Sequence, residues 1–272
     1  KQPKFQFGYT WESPEKILTF KELFIWRSEP LFFIQEAILY AGQRIGIVWE
    51  NWAWKSTLLK TITWEVERLD GFYSKWKWVI MSYYSQMHEE LDRSKTVREN
   101  FEMQWFHFAD QQLAAILSHY LFDHSDISKT VWDLSGGQIS KLLFAIIGQR
   151  ECTLLILDEP TNHLDYDTKE SLEECLRNFG GTILFISHDR YFVNKLATNI
   201  WFIEWEELSI SYGNYEDYQY KKDHKIDMDI NIFDEEAELN LVLEEKLWEN
   251  EFKRLKNKLS KWKDKRRWWS KK

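Results

Sequence analysis

Glycine is scarce in this chain, and tryptophan is abundant. The 272 residues include ten glycines and sixteen tryptophans, whereas average usage of ~7% would give roughly nineteen glycines. Glycine is the residue that tight turns and phosphate-binding loops need where φ is positive. The shortage therefore raises the question of which residues occupy those positions.

Cysteine is also rare, and long apolar runs are absent. Cys152 and Cys175 have neither metal-ligand spacing nor the framework of a small secreted domain, which favours a reduced, cytoplasmic setting. No apolar run approaches the ~18 residues of a membrane span, and the first residues lack the pattern of a signal peptide. We therefore expect no membrane insertion. Because the first residue is Lys1 rather than methionine, we also expect a longer full-length protein.

The charges are unevenly distributed along the chain. The net charge of −8 argues against a protein that coats nucleic acid with its whole surface. Residues 253–272 contain eleven basic residues and one acid, so they carry +10 and the remainder carries −18. Residues 227–251 are strongly acidic, with leucines at helical intervals. We interpret residues 221–272 as a charged helical extension, and a mobile charged tail is the alternative.

The order of apolar segments predicts the fold class. Residues 44–48 form a buried-type run that is followed by a helical pattern at 56–66. Two further apolar runs, 153–157 and 182–186, are short enough for fully buried parallel strands, and residues 169–178 between them have a helical pattern. This alternation predicts an α/β fold with a mostly parallel sheet.

The segment VWENWAWKST, residues 48–57, lies between the first predicted strand and helix. It ends like the phosphate-binding pattern G-x-x-x-x-G-K-[ST], in which backbone N–H groups, a lysine and a hydroxyl hold phosphates and magnesium. The two glycines of the pattern fall on Trp49 and Trp54, and Trp52 occupies a third position that often carries glycine. A Cβ at positive φ costs roughly 1–2 kcal/mol, and an indole blocks the approach to phosphate. Taken literally, the loop is damaged.

Other motifs are intact. The sequence LLILDEP, residues 154–160, is an apolar strand that ends in Asp158 and Glu159, at the end of a parallel strand where ligands bind. Asp158 is placed to hold magnesium and Glu159 to polarise an attacking water. The sequences TNHLD at 161–165 and SHDR at 187–190 follow in order, and such a series is far more specific than a lone acidic strand end.

This series resembles the nucleotide-binding domain of ATP-binding cassette (ABC) proteins. The sequences LDEPTNHLD (157–165), FISHDRYF (185–192) and YGNY (212–215) narrow the resemblance to the ABC-F subfamily, which carries no transmembrane domain and typically acts on ribosomes. It covers about residues 17–220. It implies an ABC-type domain at 1–220, with a parallel core, an antiparallel β part and a helical subdomain at about 89–135.

The resemblance implies binding of ATP with Mg²⁺ and hydrolysis of ATP. Glu159 and His188 would be the catalytic residues, orienting water and contacting the γ-phosphate. Metal ligands would be Ser56, Gln86 and Asp158. The implied nucleotide contacts come from the phosphate loop, Q-loop, signature motif and D-loop: Asn51, Trp52, Ala53, Trp54, Lys55, Ser56, Thr57, Gln86, Ser135, Gly136, Gly137, Gln138 and Asp165.

Each assignment has a simpler alternative. His188 taken alone would be a structural histidine, Ser135 with its two glycines would be only a helix N-cap, and Gln86 would be an ordinary glutamine at a strand end. Trp268 and Trp269 among basic residues suit stacking on RNA bases, but a solvated basic tail fits equally well.

The resemblance also implies partners. Two ABC domains enclose two ATP molecules, and each site pairs one phosphate loop with the other domain's signature motif. A second ABC domain is therefore implied, in the same full-length protein or as a dimer partner, and the short extension suggests that this is the second cassette. The ribosome, with its rRNA, is the other implied partner, for a translation factor or a protein of antibiotic resistance by ribosome protection. The alternatives are the ATPase subunit of a membrane transporter and a non-hydrolysing scaffold.

One hypothesis accounts for both the missing glycines and the extra tryptophans. Trp49, Trp52, Trp54, Trp64 and Trp205 stand at or near positions where the family often has glycine, and Trp76, Trp78 and Trp132 are weaker candidates. We hypothesise that several are glycine in the synthesised protein, encoded by a UGA codon that the source organism reads as glycine. Deliberate substitution and a degenerate cassette are the competing explanations.

Overall fold

The computed structural model describes residues 2–9, 14–26, 30–48, 55–63, 71–85, 91–204 and 207–224. The chain divides into two compact units, Lys1–Met228 and Asp229–Lys272. The second unit lies outside the described residues, and so does most of the predicted extension at 221–272. The first unit carries all the elements below.

The described elements alternate between strands and helices in the second half of the chain. The strands are β1 Gly8–Tyr9, β2 Lys16–Trp26, β3 Pro30–Tyr40, β4 Arg44–Val48, β5 Phe72–Lys75, β6 Met81–Tyr84, β7 Glu151–Cys152, β8 Leu154–Asp158, β9 Thr182–Ile186, β10 Asn199–Glu204 and β11 Glu207–Tyr212. The helices are α1 Lys55–Ile62, α2 Val97–Met103, α3 Asp110–His119, α4 Gly136–Ile147, α5 Tyr166–Asn178, α6 Arg190–Leu196 and α7 Tyr215–Asp223. Two short 3-10 helices, His124–Ser128 and Val131–Asp133, precede α4.

Nine strands form one sheet in the order β5-β2-β3-β11-β10-β4-β9-β8-β6. The five strands from β10 to β6 are parallel to one another. Every residue of β8 and β9 is buried, as expected for parallel strands that are covered on both faces. The predicted α/β fold with a mostly parallel core is confirmed.

Alternate residues of the core strands pack into two different apolar layers. Leu155 and Phe185 belong to the layer that includes residues of α4, α5 and α6, whereas Ile156 and Leu184 belong to the layer that includes α1 and the hairpin strands. This follows from the two-residue period of a strand. The sheet is therefore the middle of three layers.

The antiparallel part of the sheet contains a long hairpin. Strands β2 and β3 each have eleven residues and pair with each other, with Thr19 opposite Ile38. Near the end of β2, Leu23 and Ile25 are fully buried. Strand β5 adds to the outer edge of this hairpin.

Residues 97–119, within the helical subdomain expected at about 89–135, form two helices rather than one. Helix α2 starts at a capping box of Thr96 and Glu99 and ends after Met103, and α3 begins at Asp110. Trp105 follows the end of α2 with φ of +66°, and its N–H donates to the Glu102 carbonyl at 2.9 Å. This is the position that most often carries glycine at the end of a helix. The helix stops there because the left-handed residue reverses the chain.

Candidate functional site

The loops that carry the predicted motifs leave one edge of the parallel sheet. Strands β4, β9, β8 and β6 are consecutive neighbours and run in the same direction. Their last residues are Val48, Ile186, Asp158 and Tyr84. The segments after these four strands therefore start side by side, at the edge where ligands of such sheets bind.

The predicted phosphate loop, residues 49–54, lies outside the described residues, but the elements on both sides of it are described. Strand β4 ends at Val48 and α1 begins at Lys55, so the predicted strand and helix are present on either side of residues 49–54. Asn51, Trp52, Ala53 and Trp54 lie outside the described residues, as do Gln86 and the side chains of Lys55 and Ser56. Thr57 is described and is buried in the first turn of α1.

Glu159 and His188, the two predicted catalytic residues, are in contact. The Nε2 atom of His188 lies 3.0 Å from Oε1 of Glu159, and the backbone N–H of His188 donates to Oε2 at 3.1 Å. The glutamate is 2% exposed, whereas the histidine side chain is 41% exposed. The carboxylate is thus held from two sides by one residue, beside a ring that reaches solvent.

The glutamate also has an unusual backbone. Its φ is +51°, a left-handed conformation that costs a residue with a Cβ on the order of 1–3 kcal/mol and that is concentrated at functional sites. The backbone N–H of Glu159 donates to the Ile186 carbonyl at 2.9 Å. That bond ties the end of β8 to the end of β9 and fixes where the carboxylate starts.

Asp158 supplies an oxygen donor at the same edge. It is the last residue of β8 and is 3% exposed. A carboxylate is the ligand type that Mg²⁺ prefers, so this residue fits its predicted role as a metal ligand. The prediction for Ser56 and Gln86 depends on side chains outside the described residues.

The predicted signature motif begins α4. Ser135 caps the helix, its Oγ accepting from the Gln138 N–H, while the Gln138 side chain accepts from the Ser135 N–H at 3.0 Å. A Cβ on Gly137 would lie 2.9 Å from the His163 carbonyl oxygen, and one on Gly136 would lie 3.6 Å from the ring of His163. The motif is therefore a helix N-terminus that packs closely against the loop after β8, and Gly137 has no room for a larger residue.

Asp165 lies in that same loop and caps α5. Its Oδ1 accepts from the Thr168 N–H at 2.8 Å, and its Oδ2 lies 3.6 Å from Nζ of Lys141 on α4. The pKa of Asp165 is lowered, first by the hydrogen bond from the Thr168 backbone and further by attraction to Lys141. In this structure Asp165 caps α5 and pairs with Lys141 on α4, in addition to its predicted contact with a nucleotide.

Two lysines near the site were not predicted from the sequence. Lys141 is 13% exposed and pairs with Asp165, and Lys169 on α5 lies 3.3 Å from Asp189, directly after His188. A signal for the first existed: it is the one cation in the otherwise apolar sequence 139–147 (ISKLLFAII), and a buried cation needs an acidic partner. The second could not be found without the helix packing.

The tryptophans in the described part of the chain fall into two groups. Trp201 is 1% exposed and meets Phe20 edge to face at 5.9 Å in the core. Trp76, Trp78 and Trp132 are 48%, 65% and 68% exposed, and their φ angles are negative. The hypothesis that these three replace glycine therefore has no support from their backbone conformation, whereas Trp105 does have the conformation of a glycine.

No helix among the described residues is long and apolar enough to cross a membrane.

Known proteins resemble this chain over most of its length. The family model described as "ABC transporter" matches residues 36–162. The putative ATP-binding protein YdiF of Bacillus subtilis is 34% identical over 231 residues, which are 84% of this chain and 36% of that protein. The ABC transporter F family member 5 of Arabidopsis thaliana is 31% identical over 90% of this chain and 35% of its own length.

A solved structure has the same fold. It is the complex of the archaeal ribosomal stalk protein aP1 and the archaeal ribosome recycling factor aABCE1, with a TM-score of 0.60 and 20% identity over 80% of this chain and 44% of that one. The chain spans about a third of the length of the curated relatives that it matches.

Proposed function

The chain belongs to the ATP-binding cassette family, in its ABC-F branch, and on this basis we propose that it binds and hydrolyses ATP together with a second ABC domain, in a protein that acts on the ribosome. The observation that supports hydrolysis is the contact between Glu159 and His188 beside Asp158, at the carboxyl edge of the parallel sheet. A buried carboxylate in that position orients a water molecule for attack on a phosphate.

The proposed roles of the residues are those that the family resemblance implies, and the contact between Glu159 and His188 supports two of them. Glu159 would orient the attacking water through its carboxylate, which His188 contacts with both its backbone N–H and its ring. The ring is partly exposed, and by family resemblance it would contact the γ-phosphate. Lys55 and the backbone of the phosphate loop bind the outer phosphates. Asp158 and Ser56, supported by Gln86, would hold Mg²⁺, and the ion would neutralise charge on the phosphates.

A second ABC domain is part of the proposal. The signature motif of this chain, Leu134 to Gln138, packs through its two glycines on the loop after β8 of the same chain. By family resemblance it serves an ATP molecule that is held by the phosphate loop of the other domain. Because the chain spans about a third of its curated relatives, the other domain belongs either to the same full-length protein or to a dimer partner.

The ribosome is proposed as the target because the sequences LDEPTNHLD and FISHDRYF are of the ABC-F type. Co-sedimentation of the full-length protein with ribosomes, compared with its co-purification with a membrane protein, separates this proposal from the transporter alternative. Translation factor and antibiotic-resistance protein are two forms of the proposal, and growth in the presence of ribosome-targeting antibiotics distinguishes them.

The identity of the phosphate loop decides between an ATPase and a scaffold. We propose that Trp49, Trp52 and Trp54 are glycine in the synthesised protein. The mass of the peptide from Ile45 to Lys55, taken from the native source, measures this directly. Three tryptophans there would favour the non-hydrolysing scaffold.

Hydrolysis is tested with Glu159→Gln in two versions of the chain, one as written and one with glycine at the three loop positions. We expect the glycine version to bind ATP and to hydrolyse it with its partner domain, and Glu159→Gln to keep binding while turnover falls about 10²–10³-fold. Glu174→Gln, an exposed residue of α5, is the matched control and should leave turnover unchanged. Equal turnover in Glu159→Gln and Glu174→Gln would contradict the proposed mechanism.

A further inference from the structure

One ion pair joins the loop between β8 and α5 to α4, and a second joins α5 to the segment after β9. The loop starts at Glu159, ends at Asp165, and contains two non-glycine residues with positive φ, Glu159 at +51° and His163 at +62°. From the contacts on either side of it, we propose that Lys141 and Lys169 are positioning residues that couple the signature helix α4 to the loop of His188 through the first turn of α5. The inference rests on the proposed ATPase function.

The first link joins the signature helix to the start of α5. Lys141 lies one turn after Gln138, on the helix that Ser135 caps, and its side chain is 13% exposed. Its Nζ is 3.6 Å from Oδ2 of Asp165, whose other oxygen caps α5. Moving α4 away would separate the largely buried Lys141 ammonium from this acidic partner, at a modest cost because the carboxylate is 65% exposed. The start of α5 therefore follows α4.

The second link joins α5 to the segment that carries His188. Lys169 lies one turn after Asp165, and its N–H donates to the Asp165 carbonyl at 3.0 Å. Its Nζ is 3.3 Å from Oδ2 of Asp189, whose Oδ1 accepts from the Phe192 N–H at the start of α6. Asp189 directly follows His188. A shift of the first turn of α5 is thereby passed to the backbone N–H that holds Glu159.

Hydrogen bonds also connect the loop after β8 directly to the loop after β9. The hydroxyls of Thr161 and Ser187 lie 3.3 Å apart and are buried, and the Ser187 hydroxyl accepts from the Asp189 N–H at 3.1 Å. The loop after β8 is thus bound to the loop after β9 independently of the two lysines. Removing one lysine should loosen the connection without unfolding the site.

These contacts couple the signature motif, which would meet a second ABC domain, to Glu159, which would orient the attacking water. When a second cassette docks on the signature motif, α4 is fixed, α5 is fixed through Lys141, and the Glu159–His188 pair is fixed through Lys169. Without docking, the catalytic pair is held less firmly. The two lysines act through other residues and contact no reacting atom, so they are positioning residues.

The chain provides a matched control. Lys195 on α6 lies 3.5 Å from Glu173 on α5. This ion pair joins α5 to α6, as the pair of Lys169 and Asp189 joins α5 to the N-cap residue of α6. It lies farther from the loop by one turn of α5. Lys195→Met therefore removes a comparable charge pair while both links of the proposed path stay intact.

The experiment compares Lys141→Met, Lys169→Met and Lys195→Met in the full-length protein with glycine at the three loop positions. Methionine keeps the length of the side chain and removes its charge. Steady-state turnover gives kcat and KM for ATP, and hydrogen exchange reports the protection of the amides at 187–192. We expect Lys141→Met and Lys169→Met each to lower kcat about 5- to 30-fold with little change in KM, and Lys195→Met to change neither.

Hydrogen exchange makes the result independent of turnover. We expect faster exchange at 187–192 in Lys141→Met, although that substitution is on α4, and we expect Lys141→Arg to restore both protection and kcat. Unchanged exchange at 187–192 in Lys141→Met, or the same change in Lys195→Met, would overturn the inference. If the parent protein shows no ATP hydrolysis but the exchange result holds, the proposed function is wrong and the mechanical coupling stands.

Discussion

Replacement of Trp105 by glycine should stabilise the protein, although most core and loop substitutions destabilise. Two backbone hydrogen bonds close the end of α2: the Trp105 N–H donates to Glu102 and the Phe106 N–H donates to the Phe101 carbonyl at 3.1 Å. The residue between them must have positive φ, here +66°. The tryptophan side chain is 87% exposed, so its removal sacrifices little packing.

The magnitude follows from two opposing terms. The left-handed conformation costs a residue with a Cβ roughly 1–2 kcal/mol, and glycine loses roughly 0.5–1 kcal/mol more backbone entropy on folding. The net gain for Trp105→Gly is therefore about 0.5–1 kcal/mol. For a unit of this size it corresponds to a rise in Tm of roughly 1–4 °C. Urea titration followed by circular dichroism measures it as a higher midpoint at constant slope.

Two controls separate the backbone effect from side-chain removal. Leu121 ends α3 with nearly the same φ, +64°, but it is only 41% exposed, so Leu121→Gly should lose enough apolar contact to cancel the gain. Trp132 is 68% exposed, has negative φ and lies 5.6 Å from the Arg93 guanidinium, so Trp132→Gly should destabilise by about 0.5–1 kcal/mol. If Trp105→Gly destabilised as much as Trp132→Gly, the reasoning from φ would be refuted.

Three further predictions concern the charged and sulfur-containing groups of the first unit. The Arg44 guanidinium donates to two carbonyls at the end of α5, at 2.8 and 2.9 Å, so Arg44→Met should lower the free energy of unfolding by about 2 kcal/mol in urea titration. Burial raises the pKa of Cys152 to about 11 and that of Cys175 to about 12, so iodoacetamide at pH 8 should leave both unmodified in the folded protein and alkylate both in urea, as intact mass shows. The pKa of Asp165 is lowered by the Thr168 backbone and Lys141, so its carboxylate stabilises the fold at neutral pH, and the effect is lost as the pH falls below about 4. Asp165→Asn should keep the cap but cost about 0.5 kcal/mol at pH 7, since the carboxylate is mostly exposed, and the difference should vanish at low pH.

The strands of the parallel core could be predicted because each is recognisable from its own few residues. Strands β4, β8 and β9 are short, uniformly apolar runs between turn residues, and such runs are buried wherever the fold places them. The break between α2 and α3 could not be predicted, because Trp105 carries no sign of a left-handed backbone and helical spacing continues on both sides of it.

In the candidate site, too, some features could be predicted from short segments and others depend on how the helices pack. Glu159 and His188 were predictable because each follows an apolar strand, and parallel strands end at one edge. The pairing of Lys141 with Asp165 is set by how α4 packs on α5, which no local period encodes. Residues 49–54 and Gln86 lie outside the described part of the chain, so their roles stay predictions.

The position of β4 within the sheet affects how the protein is made. Its two neighbours, β9 and β10, both follow it in the sequence and end at Ile186 and Glu204. On a translating ribosome, the apolar strand that leads into the phosphate loop must wait for about 150 further residues, roughly 8–30 s of synthesis at usual rates. Until then this strand has two unpaired edges. The nascent chain should therefore depend on chaperones during that interval.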